Sequence, residues 1–239
     1  MPNISALLTP NPFAGDDGSL PQDLKVAFSQ PVAQRVQAII KVLDRVLVPV
    51  IPHSHPGRDQ DGRIKEHATA ALDLSDDATT LHTHLIADGR HAVAVFSSVE
   101  TLGGWNQKAR PVPMGIESIA LATLKQKIGQ IVLDPGTEHE TWISRSAVIS
   151  LATGGNWLAP WADKKVAERL GELQQRIDHV LDIQITSDAY GRSVIDVFLP
   201  HETPVDRVIL AAQELGRALE ADPYLKARLD FVEIRPRQA

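Results

Sequence analysis

Nine histidines occur in a chain of 239 residues that has no cysteine, and two pairs have the spacing of metal ligands, His53-x-His55 and His82-x-His84. Residues two apart on a β-strand share a face, so His82 and His84 would project together from a strand over Thr79 to Ala87. The Asp88-Gly89 dipeptide supplies the positive φ angles of a two-residue hairpin turn. That turn would pair Ile86 with His91 and His84 with Val93, setting His91 diagonally across from His84. Three imidazoles and one open position make a catalytic zinc site. Asp88 or Glu100 would orient them, and His53 or His55 could assist. A metal-dependent enzyme using His82, His84 and His91 is therefore one expectation. The competing expectation is stronger. His82 and His84 alternate with Leu81, Thr83 and Leu85, the pattern of a half-buried strand with a polar outer face. On that reading the chain carries no metal and no other cofactor.

The other polar motifs are weaker. Gly15-Asp16-Asp17-Gly18 is acidic but lacks the ligand ladder and terminal Glu of a calcium hand, so it reads as a turn. Gly103-Gly104 and Gly154-Gly155 have neither the glycine spacing nor the Lys-Ser/Thr pair of a phosphate loop. No Gly-x-Ser-x-Gly elbow occurs. Carboxylate pairs such as Asp76-Asp77 or Glu138 and Glu140 are the ordinary product of charged loops. No catalytic residue is assigned.

The aromatic residues say more. Four Trp accompany two Tyr and five Phe. Trp157 and Trp161 flank Pro160, and Trp105 closes a short helix. Trp anchors interfaces as well as cores. Phe96, Trp105, Arg110, Trp157 and Trp161 are accordingly the candidate binding residues, on a surface spanning Phe96–Arg110 and the Trp157–Trp161 turn. A small-molecule sensor is a third possibility, and it would need an apolar pocket.

These residues must be positioned by elements of both kinds. A Pro-, Asn-, Gly- and Asp-rich arm runs to Gln22. Pro31 then opens a helix with Val32, Val36, Ile39, Ile40 and Leu43 at helical spacing. Val46–Ile51 reads as a strand with Pro49 at an edge, followed by a long polar loop from Pro52 to about Lys65. After the hairpin, Ser97 caps a short helix with Glu100 completing a capping box. Ile116–Lys127 reads as a helix, Gln130–Leu133 and Thr141–Ser144 as neighbouring strands, and Ser146–Ala152 as a further helix.

Beyond Trp161 the texture changes to a charged helix over Asp163–Arg176, strands near Val180–Thr186 and Ser193–Leu199, a helix over Pro204–Ala221 and a strand near Phe231–Ile234. In the helix over Pro204–Ala221, Val205, Val208, Ile209, Ala212, Leu215 and Leu219 form one apolar face. The expected organisation is an irregular arm over 1–22, a domain of mixed sheet and flanking helices over 23–162, and a small ββαβ module over 163–239. The fold class is α+β.

Acidic residues outnumber basic ones by 30 to 24, and no run of Lys or Arg exceeds Lys164-Lys165. Nucleic-acid binding through a broad basic face is not expected. The absence of cysteine rules out a thiolate site and fits a reducing compartment. Met1–Ser5 carry no positive n-region, and no stretch approaches the roughly 20 apolar residues of a membrane span. The chain is expected to be cytoplasmic, with no membrane association.

An ordered series of short blocks carries a family likeness. Pro12–Gly18, Arg45–Val50, Ala94–Leu102 ending in Trp105, Arg110–Pro113 and Ile131–Pro135 together resemble actinobacterial members of the SseB family, the enhanced serine sensitivity protein type. The likeness spans roughly residues 11 to 160, and the ββαβ tail resembles the C-terminal module of some members. It implies an intracellular α+β protein of unassigned biochemical activity, without catalytic residues to carry over. The functional expectation is a non-catalytic protein-binding or regulatory component, its partner another protein or a second copy of the chain.

Overall fold

Leu24, Ala27 and Phe28 stand at helical spacing and are all buried, and they form the inner side of a helix, α1 (Gln22–Phe28), which the sequence reading passed over. The structure, a computed structural model, describes residues 12–50, 83–85, 91–230 and 232–238. Helix α2 (Val32–Val42) begins after Pro31 and buries Val36, Ile39 and Ile40. Strand β1 (Arg45–Val50) pairs antiparallel with β4 (Arg110–Gly115), Pro49 facing Pro111. Two prolines hid β4 from the sequence reading. They are tolerated because an edge strand has one side of its backbone free of the ladder.

Strands β2 (Thr83–Leu85), β3 (His91–Val95), β5 (Ile131–Leu133) and β6 (Thr141–Ile143) form a sheet in the order β2-β3-β5-β6. The β3–β5 pair is parallel and the other two pairs are antiparallel. Side-chain alternation divides this sheet into two layers. Val93, Val95, Ile131, Leu133 and Ile143 face the main core, shared with α1, α2, α4 (Ile116–Lys125) and α5 (Arg145–Thr153). Ala92, Ala94, Val132 and Trp142 face a smaller cluster with Phe96, Leu47 and Leu102, the last from α3 (Val99–Trp105). A reciprocal pair of backbone hydrogen bonds, Leu47 N–H to Phe96 O at 2.8 Å and Phe96 N–H to Leu47 O at 2.9 Å, ties the β1–β4 ribbon to the end of β3.

The C-terminal part is built around a second core. Helix α6 (Lys164–Gln174) contributes Val166, Leu170 and Leu173. Strands β7 (Asp182–Ser187), β8 (Ser193–Leu199) and β9 (Val232–Gln238) form a three-stranded sheet that supplies Ile183, Ile195, Val197 and Leu199. Strand β7 is antiparallel to β8, and β9 returns parallel to it. Two helices make that crossover, α7 (Val205–Ala221) and α8 (Pro223–Arg228), the latter capped by Asp222, whose carboxylate accepts from the Tyr224 and Leu225 N–H groups. The α+β class expected from the pattern is the observed one.

Candidate functional site

Strands β3 and β5 run parallel, and the chain leaves their carboxyl ends through two polar turns, Phe96–Ser98 and Asp134–Gly136. The ends of parallel strands are where open sheets place ligands and chemistry. Asp134 is 0 % exposed and holds φ +51, a left-handed conformation that Asp tolerates. Its N–H still pairs with the Val95 carbonyl at 2.9 Å, which turns the carboxyl toward the neighbouring loop.

Asp134 Oδ1 accepts the Ser97 N–H at 2.8 Å and the Thr101 hydroxyl at 2.8 Å. Asp134 Oδ2 and Ser97 Oγ, both buried, have no hydrogen-bond partner among the described residues. Burial pushes the carboxyl above its ordinary pKa, against the hydrogen bonds from Ser97 and Thr101 and the attraction of His139. Without exposure neither oxygen can meet a substrate. The chemistry open to this group is to fix two turns and to hold or release a proton.

The network continues outward. Ser98 caps α3, its Oγ accepting the Thr101 N–H at 3.2 Å, while Thr101 Oγ1 accepts the Ser98 N–H at 3.3 Å. The capping box thus sits one residue later than the expected Ser97 and Glu100 pair, because the Ser97 N–H is already committed to Asp134. The Ser97 carbonyl accepts Arg45 Nη1 at 2.7 Å. Arg45 also grips the Asp16 carboxylate through Nε and Nη2 and reaches the Ser19 carbonyl at 2.9 Å. This forked geometry is the strong form of the Arg–carboxylate pair. Gly18, at φ +75, closes the clamp: its carbonyl accepts the Val99 N–H at 2.8 Å, and a Cβ there would stand 2.3 Å from Val99 Cγ1. Four of the five residue blocks that carry the family likeness, all but Arg110–Pro113, therefore converge on one polar network. The sequence reading quoted Arg45 and Asp134 but gave them no role. The signal was available, in a lone Arg opening an apolar strand and an Asp-Pro-Gly closing another.

A second constellation lies where the β7–β8 hairpin meets the N-terminal part. The Trp142 N–H, on the outer edge of β6, donates to the Tyr190 carbonyl at 2.8 Å. Gly191, at φ +84, presses on α2, where a Cβ would stand 2.0 Å from Val36 Cγ2. Asp230 accepts Gln130 Nε2 and, at 2.9 Å, the Arg145 N–H. A cavity of ≈ 30 Å³ remains between Trp142, Trp157, Trp161, Arg192, Ser193 and Asp230, room for one or two waters. Arg192 is paired with Asp188 at 2.6 Å. This is an internal seam rather than a substrate pocket.

The five candidate binding residues fall in different places. Phe96 is 0 % exposed, a member of the smaller core, and so supports a surface without forming one. Trp105 is half-buried with its ring 5.2 Å from that of Phe96. Arg110 is exposed at the start of β4. Trp157 is buried, its Nε1 donating to Ser146 Oγ at 3.1 Å. Trp161 is partly exposed, edge-on to Trp157, with Nε1 donating to the Ala33 carbonyl at 2.6 Å.

The histidine expectation needs a correction. The β2–β3 register pairs Thr83 with Val93, His84 with Ala92 and Leu85 with His91. It is one residue away from the register a two-residue Asp88-Gly89 turn would give, and a one-residue slip exchanges the two faces. Positions 84 and 91 therefore do not share a face. His82, His53, His55 and the turn itself lie outside the described residues. Among the described residues no group of three or more His, Asp or Glu could hold a metal ion, so the metal-enzyme reading is not supported. No helix among them is long and apolar enough to cross a membrane.

A mixed sheet layered between helices, with a buried carboxyl clamp at its parallel strand ends, defines an α+β scaffold. The model of the SseB protein N-terminal domain matches residues 23–150, from α1 into α5 and more than half of the chain, and the protein belongs to the SseB family. No curated protein and no solved structure matches it.

Proposed function

We propose that this SseB-family chain is a non-catalytic, cytoplasmic protein-binding component with a regulatory role, and that it meets another protein through the surface around Trp105 and Arg110. One observation carries this reading. The polar side chains of the family region, Arg45, Ser98, Thr101 and Asp134, hold neighbouring segments in place, while apolar side chains stand outside on the frame they make. Val50 faces Arg110 across the ribbon, and Val112 follows two residues along on the same face; Val50 and Val112 are 46 % and 39 % exposed.

A rigid frame lowers the ordering cost of binding, and Trp and Arg are the residue types most often found as interface anchors. The cysteine-free sequence fits a reducing compartment. The test is capture of partners from the native cells on full-length protein, comparing wild type with Arg110→Glu/Val112→Asp. A partner held by the wild type and lost by a double variant of unchanged melting temperature supports the surface. Equal retention by both removes it.

A further inference from the structure

Helix α7 carries an apolar stripe that the molecule uses only in part. Ala211, Leu215 and Leu219 face the C-terminal core. About a quarter turn away, Val205, Ile209, Ala212 and Gly216 follow at spacings of four, three and four, one line along a helix of 3.6 residues per turn. At the start of that line Val205 is 74 % and Ile209 52 % exposed. At its end Gly216 forms the wall of a groove of ≈ 260 Å³ in which Leu219, Leu225, Leu229 and Val232 stand beside the charged Glu220 and Lys226, themselves paired at 2.9 Å. The same helix therefore presents apolar projections at one end and, beside its glycine, a recess of mixed apolar and charged lining at the other.

We propose that α7 pairs antiparallel with α7 of a second copy of this chain, about a two-fold axis level with the midpoint between Leu210 and Ala211. Val205 and Gly216 are symmetric about that point, and so are Ile209 and Ala212. Each large side chain of one copy then meets a small one of the other, and Val205 enters the partner's groove at Gly216. An isologous contact of this kind satisfies both copies at once and closes as a dimer.

Charge supplies the independent argument. In an antiparallel two-fold pair the same flank of each helix meets itself. The flank beside this stripe carries Asp206 near one end and Arg217 near the other, both exposed and symmetric about nearly the same point. Asp206 of each copy would face Arg217 of its partner, twice over. A parallel pairing would set like charges together, so the pattern selects the antiparallel one.

The test is sedimentation equilibrium of the full-length protein over about a hundredfold range of concentration, where a dimer must respond to mass action. The wild type is expected to dimerise. Ile209→Asp should be monomeric with an unchanged circular dichroism spectrum. Asp206→Arg and Arg217→Asp should each weaken the dimer about tenfold, and the two together should restore it. A wild type that stays monomeric throughout overturns the proposal, as does a dimer indifferent to Ile209→Asp. Failure of the double charge exchange to rescue a dimer that each single exchange weakens overturns the antiparallel pairing.

Discussion

Each part of the chain is tied together by an aspartate, and the two sit in opposite circumstances. Asp134, in the N-terminal part, is fully buried with one oxygen unpartnered among the described residues, and burial raises its pKa. Asp163, at the start of the C-terminal part, has a carboxylate that is also largely buried, which pushes its pKa up. Its partners outweigh that and hold it below the ordinary value: the Tyr224 hydroxyl at 2.7 Å, the Lys165 N–H at 3.0 Å and Arg228 Nε at 3.1 Å. A carboxylate supplied with donors stabilises the fold as an anion. A carboxylate short of them stabilises it as an acid.

The two parts are expected to unfold together, and the seam is where that coupling can be broken. Gly191→Ala is expected to cost about 3 kcal/mol, since a Cβ has no room beside Val36 and the positive φ disfavours it. Denaturant unfolding followed by tryptophan fluorescence and by circular dichroism should then lose coincidence.

Within the intact protein, Asp163→Asn should destabilise by about 2 kcal/mol at neutral pH through loss of charge-assisted bonds. The folded pKa lies below the unfolded one, so this contribution is present above the unfolded value and fades as pH falls through the folded value. The gap in melting temperature between variant and wild type should close in acid.

Asp134→Asn should act in the opposite direction, raising stability by about 1 kcal/mol at neutral pH, because Asn keeps the acceptor for Ser97 and Thr101 and leaves no buried charge. Here the folded pKa lies above the unfolded one. The wild type's contribution is complete below the unfolded value and is lost as pH rises through the folded value, so the advantage of Asn should be gone below about pH 4. Melting curves of the two variants across pH decide whether the slopes are opposed.

Local pattern carried much of this architecture and little of its chemistry. Helix α2 and the α7 stripe were readable from apolar residues recurring at a period of 3.6, and strands β1, β5, β6 and β8 from short β-branched or aromatic runs. Helix α1 had the same signal in Leu24, Ala27 and Phe28 but followed a turn-rich arm. The capping box slipped from Ser97 to Ser98 because the choice is made by Asp134, 37 residues away. The β2–β3 register slipped by one because turn chemistry alone set the expectation. The Arg45–Ser97–Asp134 network left only the trace of a lone Arg and an Asp-Pro-Gly at strand ends: its members meet through the parallel alignment of β3 with β5 and the Leu47–Phe96 bridge from β1, which are long-range.

The hydrogen bond from the Trp142 N–H to the Tyr190 carbonyl bears on how this chain behaves outside its own context. Among the described strands β6 is the last of its sheet, and its outer edge is met by the loop between β7 and β8. A fragment cut between the two parts would expose that edge as a template for a strand of any neighbouring molecule. Such a fragment would be inclined to precipitate or form fibrils even with its own core intact. The hairpin tip that closes the seam is therefore also the molecule's guard against aggregation.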